Sequence, residues 1–191
     1  MPKIIKNIEQ NIFNAAFDLF GEHGYREVDM KMIAKKVGIA VGTLYNYYPN
    51  KKQLFIDVFK KSWESTFYRI NNIMEEEVNA KEKIRNFIYV LYEEISGRKG
   101  LGKELIKDNV FGENAIEMFS NVKKNLLIEI EQLLKKIREE EGLRIENEME
   151  NRLGETIFIL IIEMITEHPK EKEKNIKFIT QVIECTYGNN K

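Results

Sequence analysis

The chain is short of the residues that build most catalytic and cross-linked proteins: one cysteine, two histidines, three prolines and one tryptophan in 191 residues. The single Cys185 excludes an internal disulfide and an all-thiolate metal cage, and it points to a reducing compartment. His23 and His168 stand far apart in the sequence, with no Ser/His/Asp set, glycine-rich phosphate loop or metal-spaced cluster around them. Glu163, Glu167 and His168 are neighbours, but Glu-rich helices produce such neighbours by chance. No enzyme, cofactor or metal is expected. Long apolar runs are also missing. The most apolar, Ile157 to Ile165, contains Glu163 and is too short to cross a bilayer, and Met1-Pro2-Lys3-Ile4-Ile5-Lys6 lacks a signal-peptide core. A cytoplasmic protein without membrane contact is the simple expectation. Strand signals are absent too, because no β-branched alternation runs through the Lys, Glu, Leu and Ile.

What is present is charge and helical periodicity. Charged residues make up 32% and hydrophobic ones 43%, too apolar a balance for disorder. The net charge of −1 hides an asymmetry: residues 1–61 carry ten Lys/Arg against six Asp/Glu, and the remainder 20 against 25. A mildly basic head on an acidic body suits a protein that presents one end to phosphate, although clustering in a charge-rich chain can arise by chance. Pro49 and Pro169 punctuate the chain, and no proline falls between them. The pattern is all-α, with about nine helices.

One stretch organises the rest. A helix opens after Asp29, a capping side chain, and places Met30, Ile33, Ala34 and Val37 on one stripe. Gly38 stops it where a left-handed backbone is easiest. Ala40 opens the next helix, in which Leu44 and Tyr48 face the same core while Val41, Gly42, Thr43, Asn46 and Tyr47 face away. A short helix held out from a packed trio, with small residues at its N-terminal end, suits a DNA major groove.

Those residues carry a resemblance. Gly38-Ile39-Ala40-x-Gly42-Thr43-Leu44-Tyr45-x-Tyr47-Tyr48-x-Asn50-Lys51-x-x-Leu54 resembles the signature of the TetR family of transcriptional repressors. Upstream, Ala16-x-x-Leu19-Phe20-x-x-x-Gly24-Tyr25 and Ile33-Ala34-x-x-Val37-Gly38 are similar to that family's first two helices, in order and at the expected spacing. The match covers about the first quarter of the chain. It implies a helix-turn-helix DNA-binding domain over residues 1–50 and a ligand-binding and dimerisation domain of six helices over 51–191. It also implies phosphate contacts for Thr43, Tyr45, Tyr47 and Lys51, with Lys31, Val41, Gly42 and Asn46 in reach of bases. Asn46 suits adenine, Val41 a thymine methyl and Lys31 a guanine, while Gly42 allows close approach. For Tyr45 and Tyr48 core packing is an equal alternative. Two departures stand out: Ala40 replaces the family's usual hydroxyl cap, and the recognition helix has no arginine.

In the body, a long fourth helix starts after Asn50 and carries Leu54 through Met74, joining head to body. Further helices follow on Ile84–Ile95, on a short segment with Leu105, Ile106 and Val110, and on Ile116–Ile137. The run from Glu148 to His168 is apolar nearly all round, so its second face has to meet something other than water. Paired with the last helix (Ile176, Ile179, Val182, Ile183, Tyr187), it suits a four-helix homodimer seam, as the resemblance also implies. Trp63, Phe67, Tyr89, Tyr92, Phe111, Phe119 and Phe158 offer surface for an apolar effector pocket, or are plain core. Glu163, the polar outlier, suits a lysine partner, the dimer seam or a cationic ligand. The functional expectation is a dimeric repressor that binds a palindromic operator in double-stranded DNA and is released by a small, largely apolar effector. The alternative is a helical dimer acting as an interaction or architectural module.

Overall fold

A computed structural model of the chain describes residues 7–99, 101, 113–142 and 149–188. Among them are eight helices and no strand: α1 (Ile8–Glu27), α2 (Met30–Val37), α3 (Val41–Tyr47), α4 (Lys51–Glu75), α5 (Ala80–Gly97), α6 (Glu113–Glu141), α7 (Met149–Glu167) and α8 (Lys172–Gly188). The short helix expected around Leu105, Ile106 and Val110 lies outside the described residues.

The contacts divide the chain into two compact units. The first holds the described residues up to Ser65, with Arg98, Lys99, Leu101 and the start of α6 to Phe119; the second holds Thr66–Gly97 and the chain from Ser120 onward.

In the first unit, Ile12, Ala15, Ala16 and Phe20 of α1 are buried with Met30, Ile33 and Ala34 of α2 and Leu44 of α3. An aromatic trio locks α1 to α4: Phe20 meets Phe55 edge-on at 5.0 Å between ring centres, and Tyr25 meets the same ring at 5.2 Å. α1 is interrupted at Gly24 (φ 78°), and a last turn carries it to Glu27.

In the second unit, α5, α7 and α8 pack on one another. α6 joins them at Gly154, where a methyl group would stand 3.3 Å from Ile130 Cγ2, so glycine lets the two helices approach closely. The Arg138 guanidinium lies 2.8 Å from the buried Glu150 carboxylate across the same contact. Asn175 on α8 is a buried hub. Its amide donates to Tyr92 Oη on α5 (2.8 Å) and to the carbonyls of Met164 (3.1 Å) and His168 (2.8 Å) at the end of α7. One side chain thus ties the end of α7 to α5 and α8, adding a second donor to carbonyls that already accept from the His168 and Glu171 N–H groups. No described helix is long and apolar enough to cross a membrane.

Candidate nucleic-acid interface

The site is built from the α2–turn–α3 segment outward. Asp29 caps α2 by accepting from the Met32 N–H at 2.8 Å, a contact of the kind that stabilises a helix by ~1 kcal/mol. At the other end Gly38 takes φ 79°, its N–H reaches the Lys35 carbonyl, and the Ile39 N–H reaches that of Ala34 at 3.0 Å. This paired closure needs a left-handed residue, and glycine supplies it without strain. It turns the chain sharply into α3, whose Ala40 start has no side-chain cap.

α3 is two-faced. Leu44 is fully buried and Tyr48, just past its end, is nearly so; burial raises the Tyr48 hydroxyl above the usual tyrosine range. On the other side Gly42 and Asn46 are exposed, Val41 and Thr43 half-buried, and Tyr45 and Tyr47 are 47% and 39% exposed. Lys31 on α2 is exposed as well. Seven of the eight residues expected at DNA therefore leave surface on the outside of the α2–α3 unit.

Lys51 is placed differently. Its ammonium donates to the carbonyls of Tyr25 and Val28, each at 2.7 Å, more distantly to that of Arg26, and stands 4.3 Å from the centre of the Tyr25 ring. Desolvation at this site pulls its pKa below the ordinary lysine range. Lys36 is tied to Asp18 at 2.9 Å, whereas Lys35 and Lys52 are exposed. Asn50 caps α4 by accepting from the Gln53 N–H at 2.8 Å.

The residues expected around an effector fall in both units. In the first unit Trp63 is buried against Phe59 (6.2 Å between ring centres), under the Arg98 guanidinium at 3.9 Å, and the half-buried Phe119 lies 6.4 Å from Phe59. Phe67, Tyr89, Tyr92, Phe158 and Glu163 belong to the second unit. There Phe158 is buried, Tyr92 is spent on Asn175, Tyr89 is exposed beneath the Lys172 ammonium, and Glu163 is exposed. Phe111 lies outside the described residues. Hollows lined by described residues lie elsewhere. One of about 570 Å³ opens at the start of α1, beside Ile8, Phe13 and Lys61, and one of about 10 Å³ lies between Ile84, Ile137 and Ile183. None of the aromatic residues expected at an effector lines either.

Sequence reasoning missed Arg98, a buried cation that also donates to the Ser62 backbone carbonyl at 2.7 Å. Its sequence signal is an arginine just past Gly97, where α5 ends. It also missed the network in the second unit formed by Lys172, Glu93, Arg69, Glu94 and Thr66. The carboxyl of Glu93 is held below the usual range, first by the hydrogen bond from Lys172.

A tight glycine turn that presents a short, outward-facing second helix on a packed helical trio defines a helix-turn-helix motif. Residues 12–58 match the model of the bacterial regulatory proteins of the tetR family. The chain is 36% identical over 73 residues to the fatty acid metabolism regulator protein of Bacillus subtilis (strain 168), a stretch that covers 38% of each chain. It is 27% identical over 143 residues to the nucleoid occlusion factor SlmA of Shewanella baltica, covering 75% of this chain and 71% of that one. Among solved structures, the regulator FadR of Bacillus subtilis in complex with stearoyl-CoA superposes with a TM-score of 0.75 at 21% identity, over 96% of this chain and all of that one. A putative fatty acid metabolism regulator of Clostridium perfringens does so with a TM-score of 0.70 at 24% identity, over 91% and 96%. Residues 12–58 thus resemble the N-terminal domain of tetR-family regulatory proteins, and the solved structures share the fold along the rest of the chain, while the chain spans less than half the length of the first curated relatives it matches.

Proposed function

We propose that the protein is a dimeric transcriptional repressor whose two α3 helices enter successive major grooves of a palindromic operator and which a small, largely apolar effector releases. The observation that carries this reading is the outer side of α3. A helix of seven residues buries Leu44 and leaves Tyr45, Asn46 and Tyr47 uncovered by its own chain, an arrangement that serves the fold little and a DNA groove well. In this reading Thr43, Tyr45 and Tyr47 bond phosphate, and Lys31, Val41, Gly42 and Asn46 face base edges. The DNA-binding domain is the motif itself, residues 1–50, and residues 51–191 serve effector binding and pairing.

In this reading the homodimer seam runs along α7 and α8. Ile159 is 61% exposed and Phe178 46%, and Leu160, Ile162, Met164 and Ile165 are half-buried. An apolar face of this kind on two consecutive helices suits a second copy of itself. The relative solved with stearoyl-CoA makes a long-chain acyl-CoA the first effector to try. An effector releases DNA only by binding the non-DNA-bound arrangement more tightly, so it has to change the separation of the two heads. Such a protein works in the cytoplasm, where operator and acyl-CoA are both at hand.

The test is footprinting on the DNA flanking the protein's own gene, followed by titration with stearoyl-CoA. A protected inverted repeat, bound in a salt-dependent manner and lost in Tyr47→Ala, is the expected result. A helical dimer that binds no duplex would overturn the reading.

A further inference from the structure

Lys51 occupies the position from which the resemblance sends a charge to phosphate, yet its three N–H groups point into the protein. Two carbonyls accept at 2.7 Å, a third stands at 3.4 Å, and the Tyr25 ring covers the cation at 4.3 Å. The carbonyls belong to Tyr25, Arg26 and Val28, which form the last turn of α1 and the corner before the Asp29 cap of α2. Carbonyls at a helix end accept readily from outside the helix, and a cation there opposes the end charge of α1.

The placement has a consequence for α3. Lys51 is the first residue of α4, and the turn and α3 are strung between α2 and α4. A bond from the start of α4 to the start of α2 fixes both ends of that segment, and so fixes how far and at what angle α3 stands out. We infer that Lys51 is a positioning residue for DNA reading, clamping the α1–α2 corner to α4, and that it gives no charge to phosphate. The inference rests on the DNA-reading role proposed above. The neighbouring Lys52 is exposed and meets no such carbonyls among the described residues, so it is a cation of this turn that can reach phosphate.

The two roles separate in two measurements. In the wild-type protein, brief acetylation of lysine amines, read by mass spectrometry with and without the footprinted duplex, should find Lys51 slow to react in both states. Lys52 and Lys31 should be fast in the free protein and slowed by DNA. A Lys51 that labels as fast as Lys52 and is protected only by duplex would overturn the inference. In the second measurement, Lys51→Met should weaken operator binding about tenfold or more, with the slope of log affinity against log salt unchanged. Lys83→Met serves as the stability control: it removes a buried ammonium that caps the Met74 carbonyl in the other unit, and should lower Tm without weakening binding. A salt slope smaller by about one in Lys51→Met, or undiminished affinity, would refute the positioning role. If the wild type bound no duplex at all, the proposed function would fail. The labelling rates of the free protein would still show whether the ammonium is sequestered.

Discussion

Gly42→Ala should move stability and DNA binding in opposite directions. Gly42 is the second residue of α3 and takes no left-handed conformation, and a methyl group built on it meets nothing within 4 Å. Nothing inside the protein therefore demands glycine there. Glycine costs a helix interior about 0.5–1 kcal/mol relative to alanine, and less in a first turn, so the gain from alanine is about 0.5 kcal/mol. For a chain of this length that amounts to a Tm rise of roughly 1–2 °C in a thermal melt. If DNA closes on α3 at this point, the same methyl group overfills the contact. Overpacking of that kind costs about 1–3 kcal/mol, or about five- to 150-fold in operator affinity by gel shift or fluorescence anisotropy. Equal affinity in the alanine variant would show that the groove does not approach here. A fall in Tm would show that the space around Gly42 is not open.

Ile159→Glu, placed on the most exposed apolar residue of α7, should convert a dimer into a monomer by light scattering and cost operator affinity, because one head loses its linked partner; an undisturbed dimer would move the seam elsewhere. Asn175→Ala should lower stability to urea by about 1–3 kcal/mol, since it strips a donor from Tyr92 Oη and from two carbonyls of α7; an unchanged midpoint would deny the hub its role. The Glu93 carboxyl is depressed by Lys172, so the stability it adds is present above the ordinary carboxylate pKa and is lost as pH falls through its lowered folded-state pKa. Acid titration of stability should therefore be shallower in Lys172→Met than in the wild type, and identical curves would count against the network.

The head was legible because local chemistry and global packing agree there. Asp29, Gly38 and Asn50 each announce a backbone event from their own side chain or lack of one, and all three perform it: a cap, a left-handed stop and a second cap. The alternation of Leu44 and Tyr48 with Tyr45, Asn46 and Tyr47 gave the two sides of α3 for the same reason. Tyr45, for which packing and contact were equal readings, is exposed. The all-α class followed from periodicity alone.

Lys51 shows where such reading stops. A lysine at the start of a helix, beside a DNA-reading segment, looks like a phosphate ligand by position. Nothing local reveals that the carbonyls of residues 25, 26 and 28 come to lie around its ammonium, because that meeting depends on how α1 and α4 pack. The aromatic residues of the body fail to sort for a related reason. Trp63, Tyr92 and Phe158 are buried while Tyr89 is exposed, and each spacing suits a helix face equally well. Whether such a ring lines a cavity or fills a core depends on the neighbour across it. For Tyr92 that neighbour is Asn175, 83 residues away, and no pattern within either helix encodes the pair. Groups whose role is fixed within four residues can be read from sequence, whereas those fixed by a partner across the fold cannot, and an effector site belongs to the second kind.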